Sequence, residues 1–269
     1  MNDRRDPLDL SGRRILISGG AGALGRAIVG RLRDHGASVL VNDIVPDDEA
    51  RAALGAEAWT PGLSYVQADL TDEAEVERLL DQAGELLGSI PDSVCCHAGV
   101  NEAHPVQDFP LPVFDKILDV NVRAAFLLAR AASKRWIQQG TPGLLLFTTS
   151  WVQDVPWPEI TPYNASKAAM KALARGFARE LAPYRIRANA VAPGIVAAGM
   201  AQRQWDTEPQ YRARARKAIP LGYLQPPDSV ADVFLFMLSP LASYMTGSVL
   251  VADGGASLYP MDDDQDTDA

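Results

Sequence analysis

Short apolar runs alternate along the chain with longer segments whose apolar residues recur every three or four positions. The runs predict seven strands: Arg14–Ser18, Ser38–Asn42, Ser64–Gln67, Val94–Cys96, Leu144–Thr148, Ile186–Ala192 and Val249–Ala252. The segments between them predict helices at Leu24–His35, Glu73–Leu87, Val113–Gln138, Tyr163–Leu181 and Ser229–Leu238. Several strands lack polar alternation, which is expected when helices cover both faces of a parallel sheet. The pattern therefore predicts an α/β protein.

The length of 269 residues suits one such sheet, so we expect a single domain over residues 1–258. Residues 259–269 form an acidic segment that we expect to be a flexible tail. Its five aspartates carry more than half of the net charge of −9. An acidic chain is a poor partner for nucleic acid or for an anionic membrane surface.

No stretch of the sequence has the length and apolar character of a signal peptide or of a membrane span. We therefore expect a cytoplasmic protein. The only two cysteines, Cys95 and Cys96, are adjacent within a predicted strand, which disfavours a disulfide and matches no metal motif. Buried strand thiols and the absence of a metal site are the expectation.

The segment from 195 to 224 lies between the sixth and seventh predicted strands and is rich in Arg, Gln and Ala. Ligands of α/β sheets bind beyond the carboxyl ends of the strands. A long insertion at that edge therefore predicts a substrate lid.

A glycine-rich turn, Ser18 to Gly25, directly follows the first strand and leads into a helix. Glycines permit a tight turn, and the helix N-terminus presents free N–H groups that can bind a pyrophosphate. A glycine-rich turn alone is a weak signal, but its position between a strand and a helix strengthens the prediction.

Two carboxylates follow the next strands. Asp43 ends the second strand, where a carboxylate accepts hydrogen bonds from an adenosine ribose and repels a 2′-phosphate, so NAD is predicted over NADP. A solvated turn aspartate is the alternative. Asp69, after the third strand, is predicted to hold the adenine amino group or to cap a helix.

Tyr163 and Lys167 are one helical turn apart on the same face. A nearby cation favours phenolate, and we expect Lys167 to lower the tyrosine pKa towards 7, a change of about 4 kcal/mol. Ser150, just past the fifth strand, could orient a substrate oxygen against the phenol. Asn121, in the middle of a predicted helix, is either a satisfied buried amide or the holder of a water that links Lys167 to solvent.

These residues, in this order and spacing, resemble the short-chain dehydrogenases/reductases from Leu10 to about Ser257. The resemblance extends to Asn189–Gly194 and to the closing stretch Thr246–Gly255. It implies a Rossmann-type, doubly wound, seven-stranded parallel sheet, Tyr163 as the acid/base, and Asn121, Ser150 and Lys167 as its catalytic partners. It also implies these cofactor contacts: Gly19, Ala23, Leu24, Gly25, Asp43, Asp69, Leu70, Ala98, Gly99, Tyr163, Lys167, Pro193, Gly194 and Val196.

The sequence departs from the family pattern at two functional positions. Cys96 and His97 stand where the family has two asparagines after the fourth strand, so the usual asparagine that bridges strands is missing. Ala198 replaces a threonine whose hydroxyl contacts the nicotinamide carboxamide in the family. Because that bridging asparagine is missing, the local stability at Cys96 must come from other contacts.

The substrate prediction depends on flat aromatic and polar side chains, which suit a polyhydroxylated ligand better than an acyl chain. The predicted contacts are His97, Trp151, Gln153, Trp157, Arg203 and Trp205, with Asn101 and His104 as further polar groups. The alternative is that the tryptophans anchor loops or subunits.

We therefore predict an oxidoreductase that moves a hydride between NAD and a small alcohol or carbonyl substrate, most simply a sugar or polyol of the kind used by glucose 1-dehydrogenases. A ketoreductase of β-ketoacyl or hydrophobic ketone substrates and a non-catalytic NAD-binding module are the alternatives. The resemblance also implies a homotetramer, with the last strand and the helix around Ser229–Leu238 at a twofold axis.

Overall fold

Seven parallel strands form one sheet in the order β3-β2-β1-β4-β5-β6-β7. In this computed structural model, which describes residues 6–55 and 59–258, the strands are β1 (Arg14–Ser18), β2 (Ser38–Asp43), β3 (Leu63–Gln67), β4 (Ser93–Cys96), β5 (Gly143–Thr148), β6 (Ile186–Pro193) and β7 (Val249–Ala252). Strands β2 and β3 lie on one side of β1, and strands β4 to β7 lie on the other side. The switch point of the sheet is therefore between β1 and β4. Ligands of open α/β sheets bind in the crevice at such a switch point.

Helices pack on both faces of the sheet. They are α1 (Ala23–Asp34), α2 (Asp47–Leu54), α3 (Glu73–Leu86), α4 (Leu111–Leu118), α5 (Ala124–Gln139), α6 (Thr161–Leu181), α7 (Gly199–Thr207), α8 (Pro209–Ala218) and α9 (Pro227–Leu238). Side chains of α3, α5 and α6 pack against one face of the sheet, and those of α1 and α9 against the other. Leu16 and Ile17, adjacent in β1, belong to these two different cores. The Rossmann-type, doubly wound sheet is thus confirmed.

All seven predicted strands are present, with boundaries within one residue at either end. The helix predicted over Val113–Gln138 is wrong as a single element, because a π-helical turn at Asp119–Arg123 separates α4 from α5. Its apolar spacing continues across the turn, so the periodicity does not reveal the extra residue. The sequence also did not predict α2, α7 or α8. The predicted tail at 259–269 lies outside the described residues.

Cys95 and Cys96 are both buried free thiols, as predicted. Their side chains point to opposite faces of β4, into the two separate cores. Burial raises the pKa of Cys95 to about 12, so its thiol stays protonated and unreactive at neutral pH. Among the described helices, none is both long and apolar enough to cross a bilayer.

Candidate active site

A cavity of about 700 Å³ opens beyond the carboxyl ends of the strands, above the switch point. It extends from the glycine-rich turn to the helices α7 and α8. Its wall includes most of the residues predicted from the sequence, namely Gly19, Ala23, Leu24, Gly25, Asp43, Asp69, Leu70, His97, Ala98, Gly99, Ser150, Trp151, Trp157, Tyr163, Lys167, Pro193, Gly194 and Val196. Tertiary folding therefore brings residues from both halves of the chain to one surface.

The glycine-rich turn is closed by backbone contacts that leave no room for side chains. Gly19 has a φ of +69°, a conformation that disfavours residues with a Cβ. A Cβ at Gly25 would lie only 2.7 Å from Gly20 Cα. Helix α1 begins after Gly22, and its first N–H groups have no partner within the helix. No side chain caps them either. The turn therefore forms a cradle suited to an anion.

Asp43 stabilises this turn as well as facing the cavity. Its Oδ2 accepts a hydrogen bond from Ala21 N at 3.1 Å, and its Oδ1 accepts one from Ile44 N at 2.8 Å. Each carboxylate oxygen can accept a further bond. Both interpretations made from the sequence, a turn aspartate and a ligand-facing carboxylate, are thus compatible with its position.

Asp69 also lines the cavity, but it does not cap α3. Its Oδ1 accepts hydrogen bonds from Thr71 N at 2.9 Å and from Thr71 Oγ1 at 2.8 Å. The cap is Asp72, whose Oδ1 accepts from Ala74 N at 2.7 Å. Asp69 therefore shapes the turn before the helix and lines the cavity.

Tyr163, Ser150 and Lys167 all line the cavity. Helix α6 presents Tyr163 and Lys167 one turn apart, and Ser150 follows β5 in an extended conformation. Lys167 is almost fully buried and its Nζ donates a hydrogen bond to the carbonyl oxygen of Thr148 at 2.8 Å. The Nζ lies 5.3 Å from the centroid of the Tyr163 ring. The three side chains predicted to handle the proton are therefore neighbours.

The expected lowering of the Tyr163 pKa by Lys167 is not found. Burial raises the pKa of Tyr163 to about 12, and only its hydrogen bond with Ser150 acts in the lowering direction. Burial also lowers the pKa of Lys167 to about 8. The prediction was wrong because helical spacing shows that two residues are neighbours, whereas the pKa depends on how much water reaches them.

Asn121 lies behind this cluster, fully buried, within the π-helical turn. Its Nδ2 donates to Val100 O and to Ser166 Oγ, both at 3.0 Å, and its Oδ1 accepts from Val100 N at 2.7 Å. One lone pair of Oδ1 remains. A Cβ placed on Gly99 would lie 3.3 Å from that oxygen and 3.4 Å from Lys167 Nζ, so Gly99 keeps the space between them open. π-Helical turns like the one that holds Asn121 recur at functional sites.

The end of β4 is held by Ser18 and His97 in place of the family's asparagine. Ser18 Oγ accepts hydrogen bonds from His97 N at 3.0 Å and from Ala98 N at 3.1 Å. His97 Nδ1 lies 3.0 Å from Thr148 Oγ1, and the ring packs edge-on against Phe234 at 5.9 Å. These contacts link β1, β4 and β5. They supply the stabilisation that the missing asparagine requires.

The exit of β6 is fixed by a residue that the sequence reasoning missed. Gly194 N donates to Gln225 Oε1 at 2.8 Å, and Val196 pairs with Gln225 through the backbone. A Cβ on Gly194 would lie 2.7 Å from Asp253 Cα, so the close approach requires glycine. No local motif marks Gln225, because its role arises only when the lid folds back to β6.

The lid folds as two helices that pack over an aromatic cluster. The Trp151 and Trp157 rings meet edge-to-face at 5.6 Å, and Trp157 contacts Tyr211 of α8 at 6.3 Å. Tyr211 and Arg214, three residues apart on α8, both line the cavity. Arg214 was not predicted, although its spacing from Tyr211 places both on one helix face.

Three predicted substrate contacts do not reach the cavity wall. Met200, Ala201 and Gln204 of α7 line the cavity, and Arg203 and Trp205 flank that helix face. Gln153 is buried and donates its Nε2 hydrogen to Asp154 Oδ2 at 3.1 Å. Contacts of Gln153, Arg203 and Trp205 with a substrate therefore stay predictions.

Among the described residues, no group of three or more His, Cys, Asp or Glu side chains is arranged to hold a metal ion. His104, which was considered as a further polar contact, lies off the cavity and places its Nε2 2.6 Å from Glu102 Oε1. Asn101 does line the cavity.

Comparison with known proteins connects this site to dehydrogenases. A family model described as "Enoyl-(Acyl carrier protein) reductase" matches residues 19–257. The 3beta-hydroxysteroid dehydrogenase 1 of Eggerthella lenta is 32% identical over 94% of this chain and 96% of its own length. The glucose 1-dehydrogenase of Gluconobacter oxydans is 29% identical over 93% of each chain.

Solved structures agree with these relatives. A short-chain type dehydrogenase/reductase from Mycobacterium marinum has a TM-score of 0.81 and 32% identity, covering 94% of this chain and 98% of its own. A gluconate 5-dehydrogenase from Burkholderia cenocepacia, in complex with NADP and tartrate, has a TM-score of 0.85 and 26% identity over 94% and 98%. A 3-ketoacyl-(acyl-carrier-protein) reductase from Brucella melitensis, complexed with NADH, has a TM-score of 0.82 and 29% identity over 93% and 100%. The chain therefore belongs to the short-chain dehydrogenase/reductase family.

Proposed function

We propose that this protein is an NAD-dependent oxidoreductase that interconverts a secondary alcohol and a ketone, or the equivalent carbon of a sugar. The observation that carries the proposal is the position of Tyr163, Ser150 and Lys167 on the wall of a cavity that begins at an uncapped helix N-terminus. An anion cradle and a set of proton-handling groups in one cavity fit a dinucleotide cofactor and a reacting hydroxyl.

The residues fit a nicotinamide dinucleotide. The backbone of Gly19–Gly25 would hold the pyrophosphate, Asp43 the adenosine ribose, Asp69 and Leu70 the adenine, and Pro193–Val196 the nicotinamide end. NAD is proposed over NADP because the Asp43 carboxylate repels a 2′-phosphate. The solved relatives named above include one NADP complex and one NADH complex.

When bound, the dinucleotide accepts or supplies the hydride. Tyr163 takes the hydroxyl proton during oxidation and returns it during reduction. Ser150 orients the substrate oxygen against the phenol and stabilises the phenolate by hydrogen bonding. Lys167, held by Thr148 O, places a positive charge behind the Tyr163 ring. Asn121 has one free lone pair near Lys167, which can hold a water for proton exchange with solvent.

A sugar or polyol substrate is supported by the lid end of the cavity. Trp151 and Trp157 offer flat apolar surfaces, and Gln204 and Glu159 offer polar groups on the same wall. Asn101 adds an amide to the lining of the same cavity. The glucose 1-dehydrogenase relative is in keeping with this choice.

A hydrophobic ketone or alcohol is the second candidate. Ile160, Ile195 and Met200 also line the cavity, and they give it apolar walls on the lid side. The relative that is a hydroxysteroid dehydrogenase favours this alternative.

Initial rates of NADH formation test both candidates. The purified protein is assayed with NAD and with NADP against aldoses, polyols, hydrophobic secondary alcohols and a hydroxysteroid. Turnover confined to hydrophobic alcohols would remove the sugar proposal. Tyr163→Phe should lose at least about 100-fold of the rate, because it keeps the ring and removes the proton carrier. Undiminished turnover in that variant would show that Tyr163 is not the proton carrier, and no turnover by the unmodified protein would favour a binding module.

We also propose a homotetramer, in which β7 and α9 meet their counterparts across a twofold axis. β7 is the last strand of the sheet, and Val251 is 42% exposed there. An apolar edge strand is a surface that proteins usually cover. Light scattering coupled to size-exclusion chromatography would measure the mass, and a monomer at micromolar concentration would contradict the proposal.

A further inference from the structure

Arg214 is a cation at the lid end of the cavity, far along the wall from the glycine-rich turn. Its guanidinium carbon lies 4.7 Å above the Trp157 ring and 6.0 Å from the centroid of Tyr211. Stacking on aromatic faces orients the planar guanidinium and leaves its N–H edge available. The side chain is 42% exposed, so the edge is open to a ligand that enters the cavity.

The guanidinium makes no hydrogen bond to any residue within 6–55 and 59–258. Its one ionic contact is Glu159, whose Oε2 lies 3.8 Å from Nη2, beyond hydrogen-bond distance. Exposed pairs of this kind contribute little, and Glu159 is itself 51% exposed. A ligand carboxylate could therefore take the position facing Arg214 at small cost.

The other charged groups of the cavity are already committed or lie elsewhere. Asp43 and Asp69 belong to the glycine-turn end, and Lys167 donates to Thr148 O. Lys116, on the remaining wall, is exposed at α4. At the lid end, the electrostatics seen by a substrate thus depend on Arg214 and Glu159.

The cavity connects Arg214 with the reacting centre through a continuous aromatic surface. Trp151 and Trp157 belong to one packed cluster with Tyr211, and Tyr163 packs against it. Arg214 stacks on Trp157 of this cluster, so the guanidinium and the Tyr163 side chain border the same cavity.

We propose that Arg214 binds a carboxylate at the end of the substrate away from the reacting carbon, so that this site prefers hydroxy acids of the sugar-acid class to the neutral polyols. This inference rests on the proposed oxidoreductase function. Arginine and a carboxylate can form two parallel charge-assisted hydrogen bonds, which a hydroxymethyl group cannot replace. Glu159 sets the opposing charge and weakens the binding of the acid.

The test compares D-gluconate with D-glucitol, which differ by a carboxylate against a hydroxymethyl group. Isothermal titration of the NADH-loaded protein gives each dissociation constant. The unmodified protein should bind gluconate about 10- to 100-fold more tightly than glucitol. Arg214→Gln should weaken gluconate binding about 10- to 100-fold and so remove that preference, with a much smaller effect on glucitol binding. Arg216→Gln is the matched control, since Arg216 is on the same helix, stacks on Trp205 at 5.4 Å and does not line the cavity.

Glu159→Gln gives an independent readout of opposite sign. It should tighten gluconate binding several-fold, and raising the ionic strength should weaken gluconate but not glucitol. Equal affinities in the unmodified protein, undetectable gluconate binding, or equal losses for both ligands in Arg214→Gln would overturn the proposal. Failure of the proposed function appears separately, as the absence of NADH formation from every alcohol, because the titration needs no turnover.

Discussion

Lys167 donates its ammonium hydrogen to the carbonyl oxygen of Thr148 at 2.8 Å, at the end of β5. The bond holds the ammonium over the Tyr163 ring, with 5.3 Å between Nζ and the ring centroid. Burial lowers the pKa of Lys167 to about 8, so its charge is present at neutral pH and is lost as the pH rises beyond that value. The ammonium is therefore charged beside the ring at neutral pH, whereas burial and the Ser150 hydrogen bond determine the pKa of Tyr163.

The first prediction concerns Ser150 and the pH dependence of oxidation. Burial raises the pKa of Tyr163 to about 12, and the hydrogen bond with Ser150 opposes that rise. Oxidation needs the phenolate, so its kcat/KM should increase with pH through the neutral range. Ser150→Ala removes the stabilisation of the phenolate, and the rising limb should move to higher pH. Profiles measured in both directions check this; an unmoved limb would show that Ser150 does not tune the phenol.

The second prediction concerns His97 and stability in acid. Burial, together with the charge of Lys167, lowers the pKa of His97 from 6.5 to about 4. The unfolded chain therefore binds the proton first, and the free energy of unfolding should fall as the pH drops from 6.5 to 4, by up to about 3 kcal/mol. His97→Asn should flatten that dependence in urea titrations.

His104→Asn is the control for His97, because it changes the same residue type at a side chain that does not line the cavity. The His104→Asn variant should still lose free energy of unfolding as the pH drops from 6.5 to 4, as the unmodified protein does. If the free energy of unfolding falls equally with pH in the unmodified protein and in His97→Asn, the fold does not hold the His97 ring neutral.

The third prediction separates the charge of Asp43 from its structural bonds. Asp43→Asn keeps an oxygen that can accept from Ala21 N, whereas Asp43→Ala removes both turn contacts. The asparagine variant should use NADP at least about tenfold better relative to NAD, because the repulsion of a 2′-phosphate is lost. The ratio of kcat/KM for the two cofactors measures this. If only the alanine variant changes the ratio, the turn geometry and not the charge determines selectivity.

The fourth prediction compares two glycines of α1. Gly25→Ala would bring a Cβ against the backbone of Gly20 at 2.7 Å and should weaken NADH binding by shifting the cradle. Gly30→Ala, five residues later, has nothing within 4 Å and should stabilise the helix by about 0.5 to 1 kcal/mol. Fluorescence titration with NADH and thermal unfolding separate the two effects. Normal NADH affinity in Gly25→Ala would argue against the cradle.

The sequence predicted the strands, the helix face that carries Tyr163 and Lys167, and the glycine-rich turn, because each depends on residues close together in the chain. The apolar runs located every strand to within one residue, because a buried parallel strand must be apolar on both faces. The spacing of Tyr163 and Lys167 placed both on one helix face, and the glycines marked a turn that no side chain fits. The π-helical turn at Asn121 escaped prediction, because one additional residue per turn scarcely alters the apolar pattern.

The sequence by itself determined the strands, the order of the elements along the chain and the placement of Tyr163 and Lys167 on one helix face, since strand burial and helix spacing act over a few residues. The tertiary structure alone decided which lid side chains face the cavity, bringing Tyr211 and Arg214 to its wall while Arg203 and Trp205 stay beside it. It also decided that burial, not the neighbouring ammonium, dominates the pKa of Tyr163. Both outcomes depend on how distant segments pack and exclude water, which no local pattern encodes.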